Sequence, residues 1–184
     1  MTVCRSAIKP VAPLELDTPR MRGTALGPEH EAEVAQLSLD ARVYRRLWPW
    51  AGAPARDDIR ASLRDKRSHW DRHGFGLWLL RDRSTGALVG RGGLQYTDAI
   101  GGYAVEAAWT IVPERWGQGL ATELARASVH VAFDRLALEE VIAITQPENV
   151  ASRRVMEKAG FAYDAEILHV GLPHMLFRRR PGLD

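Results

Sequence analysis

The spacing of hydrophobic positions changes several times along the chain. Leu14 to Leu26 mixes apolar and polar residues and predicts a first strand around Met21. From Pro28, the residues Val34, Leu37, Ala41 and Tyr44 recur at spacings of three, four and three, the stripe of one helix. Glu29, Glu31 and Glu33 fall in its first turns, where the helix dipole favours acids. Trp48-Pro49-Trp50 ends it, because a residue before proline avoids the helical region. Pro54 opens a second helix, roughly Ala55 to Arg72, with Ile59, Leu63 and Trp70 on its apolar side and Gly74 as its stop.

Strand patterns follow. Phe75 to Leu80 is one, Asp82 to Gly86 a turn by composition, and Ala87 to Tyr96 the returning strand. Tyr103 to Val112 alternates cleanly, with Val105, Ala107, Trp109 and Ile111 on one face and Ala104, Glu106, Ala108 and Thr110 on the other. Gly119 to Leu136 is helical, Glu140 to Thr145 a short β-branched strand, and Asn149 to Ala159 a short helix closed by Gly160. Phe161 to Val170 and His174 to Arg179 are two closing strands joined by Gly171-Leu172-Pro173. The order predicts a mixed α/β domain of seven strands and four helices over residues 14–184, preceded by an irregular arm of residues 1–13.

Composition narrows the partners. The 184 residues are 46% hydrophobic and 26% charged, enough apolar surface for a folded core. No run reaches the length of a membrane span. Arg5 and Lys9 are followed by no apolar stretch of the kind a secretory leader needs, so the expected compartment is the cytoplasm. A net charge of only +2 argues against a nucleic-acid partner. The single Cys4 excludes an internal disulfide, and the six histidines are read as making no metal site.

Chemistry concentrates at Trp109 to Glu123, where a strand runs through Trp116-Gly117-Gln118-Gly119 straight into a helix. Such a junction offers unpaired backbone N–H groups and a positive dipole end, a natural phosphate cradle. Neither a P-loop nor the dinucleotide fingerprint is present. On this loop alone a structural turn without a ligand is an equal reading. A second stretch, Thr145 to Phe161, carries N-x-x-S at Asn149 and Ser152 and then Lys158-Ala159-Gly160-Phe161. Together the W-G-x-G-x-A-T-E and N-x-x-S…K-A-G-F patterns resemble the two signatures of the GNAT acyl-CoA N-acyltransferases. The form of the first resembles the branch of Rim-type ribosomal-protein N-terminal acetyltransferases. The resemblance covers about Leu14 to Arg180.

That resemblance implies a fold with a mostly antiparallel sheet that splays open between its fourth and fifth strands. It implies acetyl-CoA as cosubstrate, its pyrophosphate on the amides of Gly117, Gln118, Gly119, Leu120, Ala121 and Thr122. Ile111 and Val112 would pair with the pantetheine arm, and Asn149 and Ser152 would lie beside it or the thioester. Two departures stand out. Trp116 occupies a position where many members have Gln or Arg, so that side chain is dispensable for phosphate binding. Met156 stands where many place a tyrosine acid, and a thioether donates no proton.

Several residues have two readings. Asn149 is a good N-cap for the helix it precedes, with Ser152 in the first turn. Ser152 is the remaining candidate to solvate the leaving thiolate. Glu106, mid-strand among alanines, is either a base facing the acceptor or the partner of an arginine from the helical layer. His130 reads as packed or exposed, and His174 as a candidate for the substrate mouth. Arg178 to Arg180 read as a solvated strand, and Trp48 and Trp50 as acceptor mouth, core or dimer surface. The leading function is transfer of an acetyl group from acetyl-CoA to a primary amine, a peptide or protein N-terminal α-amine or a small molecule. The alternatives are another acyl-CoA such as succinyl-CoA, and a non-catalytic CoA-binding module. An α-amine, pKa about 7.7–8.0, needs roughly 1 kcal/mol to deprotonate at neutral pH, against roughly 4–5 for lysine. It asks least of a chain with no unmistakable base. Six tryptophans and apolar residues at helix connections suggest a homodimer.

Overall fold

The computed structural model describes residues 14–47 and 51–182; the proposed arm and Trp48 and Trp50 lie outside the described residues. The strands are β1 (Leu16–Asp17), β2 (Met21–Ala25), β3 (Leu77–Asp82), β4 (Leu88–Thr97), β5 (Ala104–Ile111), β6 (Val141–Thr145), β7 (Ala162–His169) and β8 (Leu172–Arg179). The helices are α1 (Glu31–Ser38), α2 (Ala41–Leu47), α3 (Arg56–His73), α4 (Leu120–His130) and α5 (Val150–Lys158). All strands join one sheet in the order β1-β2-β3-β4-β5-β6-β8-β7. Every pairing is antiparallel except β5 with β6. No helix among the described residues is long and apolar enough to cross a membrane.

Two differences from the sequence reading have local causes. The first helix is two helices. Asp40 breaks the stripe by capping α2: its Oδ1 accepts the Arg42 N–H at 2.8 Å and its carbonyl accepts from Val43 and Tyr44. Val43, rather than Ala41 or Tyr44, then becomes the buried residue of α2. The closing hairpin turns at Val170-Gly171, both at positive φ, and Leu172 and Pro173 belong to β8, where Pro173 faces Leu168. The extra strand β1 is a two-residue pairing with β2.

The sheet separates two packed layers. Leu26, Val34, Ala35, Ile59 and Leu63 pack on Leu77 and Leu79, forming the α1–α3 side. On the other side, Trp78, Leu80, Val89 and Ile111 meet Leu120 and Leu124 of α4, while Val105, Ala107 and Ala143 meet Val129 of α4 and Met156 of α5. Between β5 and β6 the pairing reduces to Glu106 with Ile142, so β5 from Ala107 onward has an unpaired edge. This is the expected splay. A bulge in β4 also matters. Leu80 pairs with Gly90 and Arg81 with Leu88, leaving Val89 as the extra residue. Val89 is fully buried against α4, and the bulge turns the pleat so that Arg91 lies on the α3 side.

Candidate active site

The glycine loop is built as a cradle of backbone amides. Gly117 and Gly119 take φ of 75° and 76°, a left-handed conformation that turns the chain into α4. A Cβ at Gly117 would meet nothing within 4 Å. The six amides of Gly117 through Thr122 donate no hydrogen bond to any described residue, and the first bond into α4 comes from Glu123 to the Gly119 carbonyl. Six donors at a helix N-terminus make a site for an anion.

Side chains hold that loop in shape. The Trp116 indole N–H donates to the Ile111 carbonyl at 2.8 Å, and the Arg46 guanidinium stacks over its ring at 4.2 Å. Trp116 is therefore a prop for the loop and a link to α2, which an ion pair, Arg42 with Glu114, also ties to the same turn. Glu123, the last residue of the first signature, accepts from Thr18 Oγ1 at 2.7 Å, Arg20 N–H at 3.0 Å and Arg20 Nε at 2.6 Å. Arg20 also donates to the Gln118 carbonyl at 2.8 Å. The turn between β1 and β2 thus clamps the start of α4.

Around the splay lies a cleft of about 670 Å³ that reaches both layers. Its walls bring together Glu106, Ile111, Gly117, Gly119, Leu120, Ala121, Thr122, Asn149 and Ser152. Val112 and Gln118 stand outside those walls. Val112 gives its N–H to the Val89 carbonyl and accepts from Arg115 N–H, and the Ile111 carbonyl is taken by Trp116. The free edge for an extended ligand is therefore β5 from Ala107 onward. Asn149 caps α5, its Oδ1 accepting the Ser152 N–H at 3.2 Å. Ser152 Oγ has no hydrogen-bond partner among the described residues and borders the cleft. Met156 is buried in the core at the base of α5.

On the α3 side, Glu106 is met by Gln95, its register partner, whose Nε2 donates to Oε2 at 3.2 Å. Lys66 of α3 donates to Gln95 Oε1 at 2.7 Å. The arginine partner that the sequence left open for Glu106 is thus a glutamine backed by a lysine. Burial raises the Glu106 carboxyl above its ordinary value, against the pull of Gln95 and Lys66. Burial lowers the Lys66 ammonium, and the nearby Arg91 charge lowers it further. A carboxylate poised upward and beside a route to solvent suits proton abstraction from an amine.

The remaining candidates are structural. His130 is exposed and faces Asp134 one turn on at 3.5 Å. His174 is buried, its Nδ1 3.1 Å from the Leu172 carbonyl, and stacks edgewise on His169 away from the cleft. Arg178 and Arg180 pair with Glu140, and Arg178 also with Asp164. The histidines do include one H-x-x-x-H pair, contrary to a reading of all six as unclustered: His69 and His73 stand one turn apart on α3 with ring centroids 4.7 Å apart. His69 Nδ1 lies 2.9 Å from the Phe75 carbonyl, and Nε2 accepts the Tyr96 N–H at 3.0 Å, a pairing that fixes a neutral ring. Among the described residues no three His, Cys, Asp or Glu side chains gather to hold a metal ion. Lys66, Arg91 and Gln95 were also missed. An arginine among the glycines of β4 was the available signal.

Comparison with known proteins identifies the family and the fold. Residues 21–162 match the acetyltransferase (GNAT) domain. An FsC-acetyl coenzyme A-N(2)-transacetylase of Aspergillus fumigatus is 31% identical over 156 residues, spanning 80% of this chain and 65% of that protein. A Bordetella pertussis protein assigned to the GNAT acetyltransferases superposes with a TM-score of 0.77 at 23% identity, over 90% of this chain and 99% of that one. RimL, a ribosomal-protein α-N-acetyltransferase solved with coenzyme A, superposes at 0.76 with 16% identity, over 93% and 100%.

Proposed function

This chain belongs to the GNAT acetyltransferase family, and from that premise we propose that it transfers the acetyl group of acetyl-CoA to a primary amine by direct attack. The observation that carries this reading is one cleft joining an open strand edge, a carboxylate and five residues of the unpartnered amide loop, Gly117 and Gly119 to Thr122. The CoA pyrophosphate sits on Gly117 to Thr122. The pantetheine lies along the unpaired edge of β5, which brings the thioester toward Asn149 and Ser152.

The reaction needs a neutral amine. Glu106, directly or through a water, takes the amine proton as nitrogen attacks the thioester carbon. A backbone N–H on the open edge of β5 stabilises the oxyanion. The C–S bond then breaks, and the thiolate leaves solvated by Ser152 Oγ, since Met156 has no proton to give. The acceptor is an α-amine on a small molecule or peptide. RimL acts on a ribosomal protein and the Aspergillus relative is a coenzyme A-N(2)-transacetylase, so family membership leaves both acceptor types in play.

The same proposal places the protein in the cytoplasm as a homodimer. Its exposed apolar residues Tyr163, Leu168 and Val170 lie on or next to the edge strand β7, whereas Trp70 and Trp78 are buried. Sedimentation near 20 kDa would argue against the dimer. Purified protein, acetyl-CoA, an amine panel and a thiol-reactive dye test the activity: thiol release that depends on amine is expected. CoA binding without release for any amine would remove the catalytic reading in favour of a CoA-binding module, and faster release from succinyl-CoA would change the donor.

A further inference from the structure

The charges lining the cleft are lopsided. They comprise one acid, Glu106, and six cations. Four of the cations are accounted for by a partner or by exposure to solvent. Arg46 stacks on Trp116, Arg115 pairs with Asp82, and Arg154 and Lys158 are exposed on α5. Arg91 differs. It is half-buried, borders the cleft, and has no hydrogen-bond or ion-pair partner among the described residues. A guanidinium stays charged in a protein and is costly to desolvate alone. Its charge acts on another cation, Lys66, which among the described residues donates a hydrogen bond only to Gln95.

The backbone was bent to put it there. The bulge at Val89 sends Arg91 to the α3 side, together with Gln95 and Glu106. Gly92, next in the strand, faces α4, where a Cβ would lie 2.7 Å from Leu124 Cδ2. The pyrophosphate cradle is at the N-terminus of α4, the layer on the other face of the sheet. Arg91 and Lys66 therefore face the side from which the amine must reach Glu106.

We propose that Arg91 and Lys66 form an anion subsite for the acceptor, so that the amine acetylated here also carries a carboxylate or a phosphate. This deepens the acetyltransferase reading and rests on it. The anion neutralises the two cations, and a bidentate contact to Arg91 orients the amine toward Glu106. Polycationic amines are disfavoured by the same charges.

The test uses pairs, glycine against glycinamide and O-phosphoethanolamine against ethanolamine, followed by thiol release from acetyl-CoA, with kcat/KM expressed per neutral amine because a nearby anion raises the amine pKa. Binding of N-acetylglycine and N-acetylglycinamide to the CoA-loaded protein is measured by calorimetry alongside. One charge-assisted contact predicts a preference of roughly ten- to a hundredfold for the anionic member of at least one pair. The pair that shows it identifies carboxylate or phosphate. In Arg91→Met that preference collapses, Arg91→Lys restores part of it, and the thermal midpoint does not fall, because no structural partner is lost. Lys66→Met weakens it as well. Equal use of both members of each pair overturns the subsite and leaves the acetyltransferase standing. So does an Arg91→Met protein that loses CoA affinity instead of preference, which would assign Arg91 to a cofactor phosphate. Failure of N-acetylglycine to bind better than its amide, with no anionic preference in turnover, also overturns it. Absence of thiol release with every amine, while CoA binds, is the separate failure of the acetyltransferase reading, and the calorimetric pair then decides the subsite alone.

Discussion

Gln95 and Glu106 face each other across β4 and β5 as direct register partners, and the amide of one donates to the carboxylate of the other at 3.2 Å. Because Lys66 holds the far end of the same amide, the orientation of Gln95 is fixed and its N–H group points at Glu106. The carboxylate keeps one oxygen for the amine proton.

This arrangement predicts a specific pH profile. The Glu106 carboxyl lies above its ordinary value because of burial, and a base must be deprotonated to act. For an α-amine acceptor, kcat/KM then falls through two ionisations as pH drops, that of the amine and that of Glu106. Glu106→Gln should lower kcat by about 10²–10⁴-fold and leave only the amine limb. The slope of log kcat/KM against pH at low pH should change from about 2 to about 1. An unchanged slope in the variant would show that Glu106 takes no proton.

Ser152 carries the leaving-group prediction. With Met156 buried and unable to donate, a hydroxyl at the start of α5 is the available donor for a thiolate. Ser152→Ala should lower kcat roughly ten- to a hundredfold with little change in the KM of acetyl-CoA. The backbone N–H of residue 152 still bonds Asn149 in the variant, so the α5 cap survives. Full kcat with chemistry rate-limiting would reduce Ser152 to a first-turn residue.

The cofactor prediction concerns Gly119. Its φ of 76° is strained for any side chain, at roughly 1–2 kcal/mol, and its Cβ would point toward Arg20 Nη2 at 3.7 Å. Gly119→Trp should abolish CoA binding by bulk at the cradle, with a loss of stability no larger than the strain. Calorimetry with CoA and a thermal melt separate the two effects. Retained affinity in a folded variant would move the pyrophosphate elsewhere.

The two signatures were legible because their chemistry is local. A strand, two glycines and a helix start lie within fifteen residues, and backbone amides need no distant partner to form a cradle. Glu106 was legible as an oddity, a carboxylate among alanines. Its surroundings were not, because Gln95 reaches it across a strand pair, and Lys66 holds Gln95 from a helix 29 residues before that glutamine. Arg91 was hidden by the bulge: plain alternation puts it on the face of Val89, and only the extra residue turns it round. The break at Asp40 was masked by an apolar stripe that runs on in register. His69 and His73 were overlooked although their spacing is one helical turn; their meaning depends on Phe75 and Tyr96, which the hairpin of β3 and β4 delivers.

His69 gives the last prediction. Its ring is clamped between the Phe75 carbonyl and the Tyr96 N–H, so the neutral tautomer with the proton on Nδ1 satisfies both contacts. A second proton would turn Nε2 into a donor facing a donor. Burial, with further push from the His73, Lys66 and Arg72 charges, lowers its pKa from 6.5 to about 4. The unfolded chain therefore binds a proton below pH 6.5 that the folded chain refuses until about pH 4. Stability from this residue is complete above pH 6.5, declines as pH falls toward 4, and levels off below it. The loss is about 2–3 kcal/mol between pH 7 and pH 4. His69→Gln keeps a donor and an acceptor at the site and has nothing to titrate. Urea unfolding at pH 7 and pH 4 should show the wild type losing about that much more stability than the variant. Equal losses in the two proteins would mean that the ring is protonated in the fold, and that the clamp on Tyr96, which sets the position of the adjacent Gln95, gives way in acid.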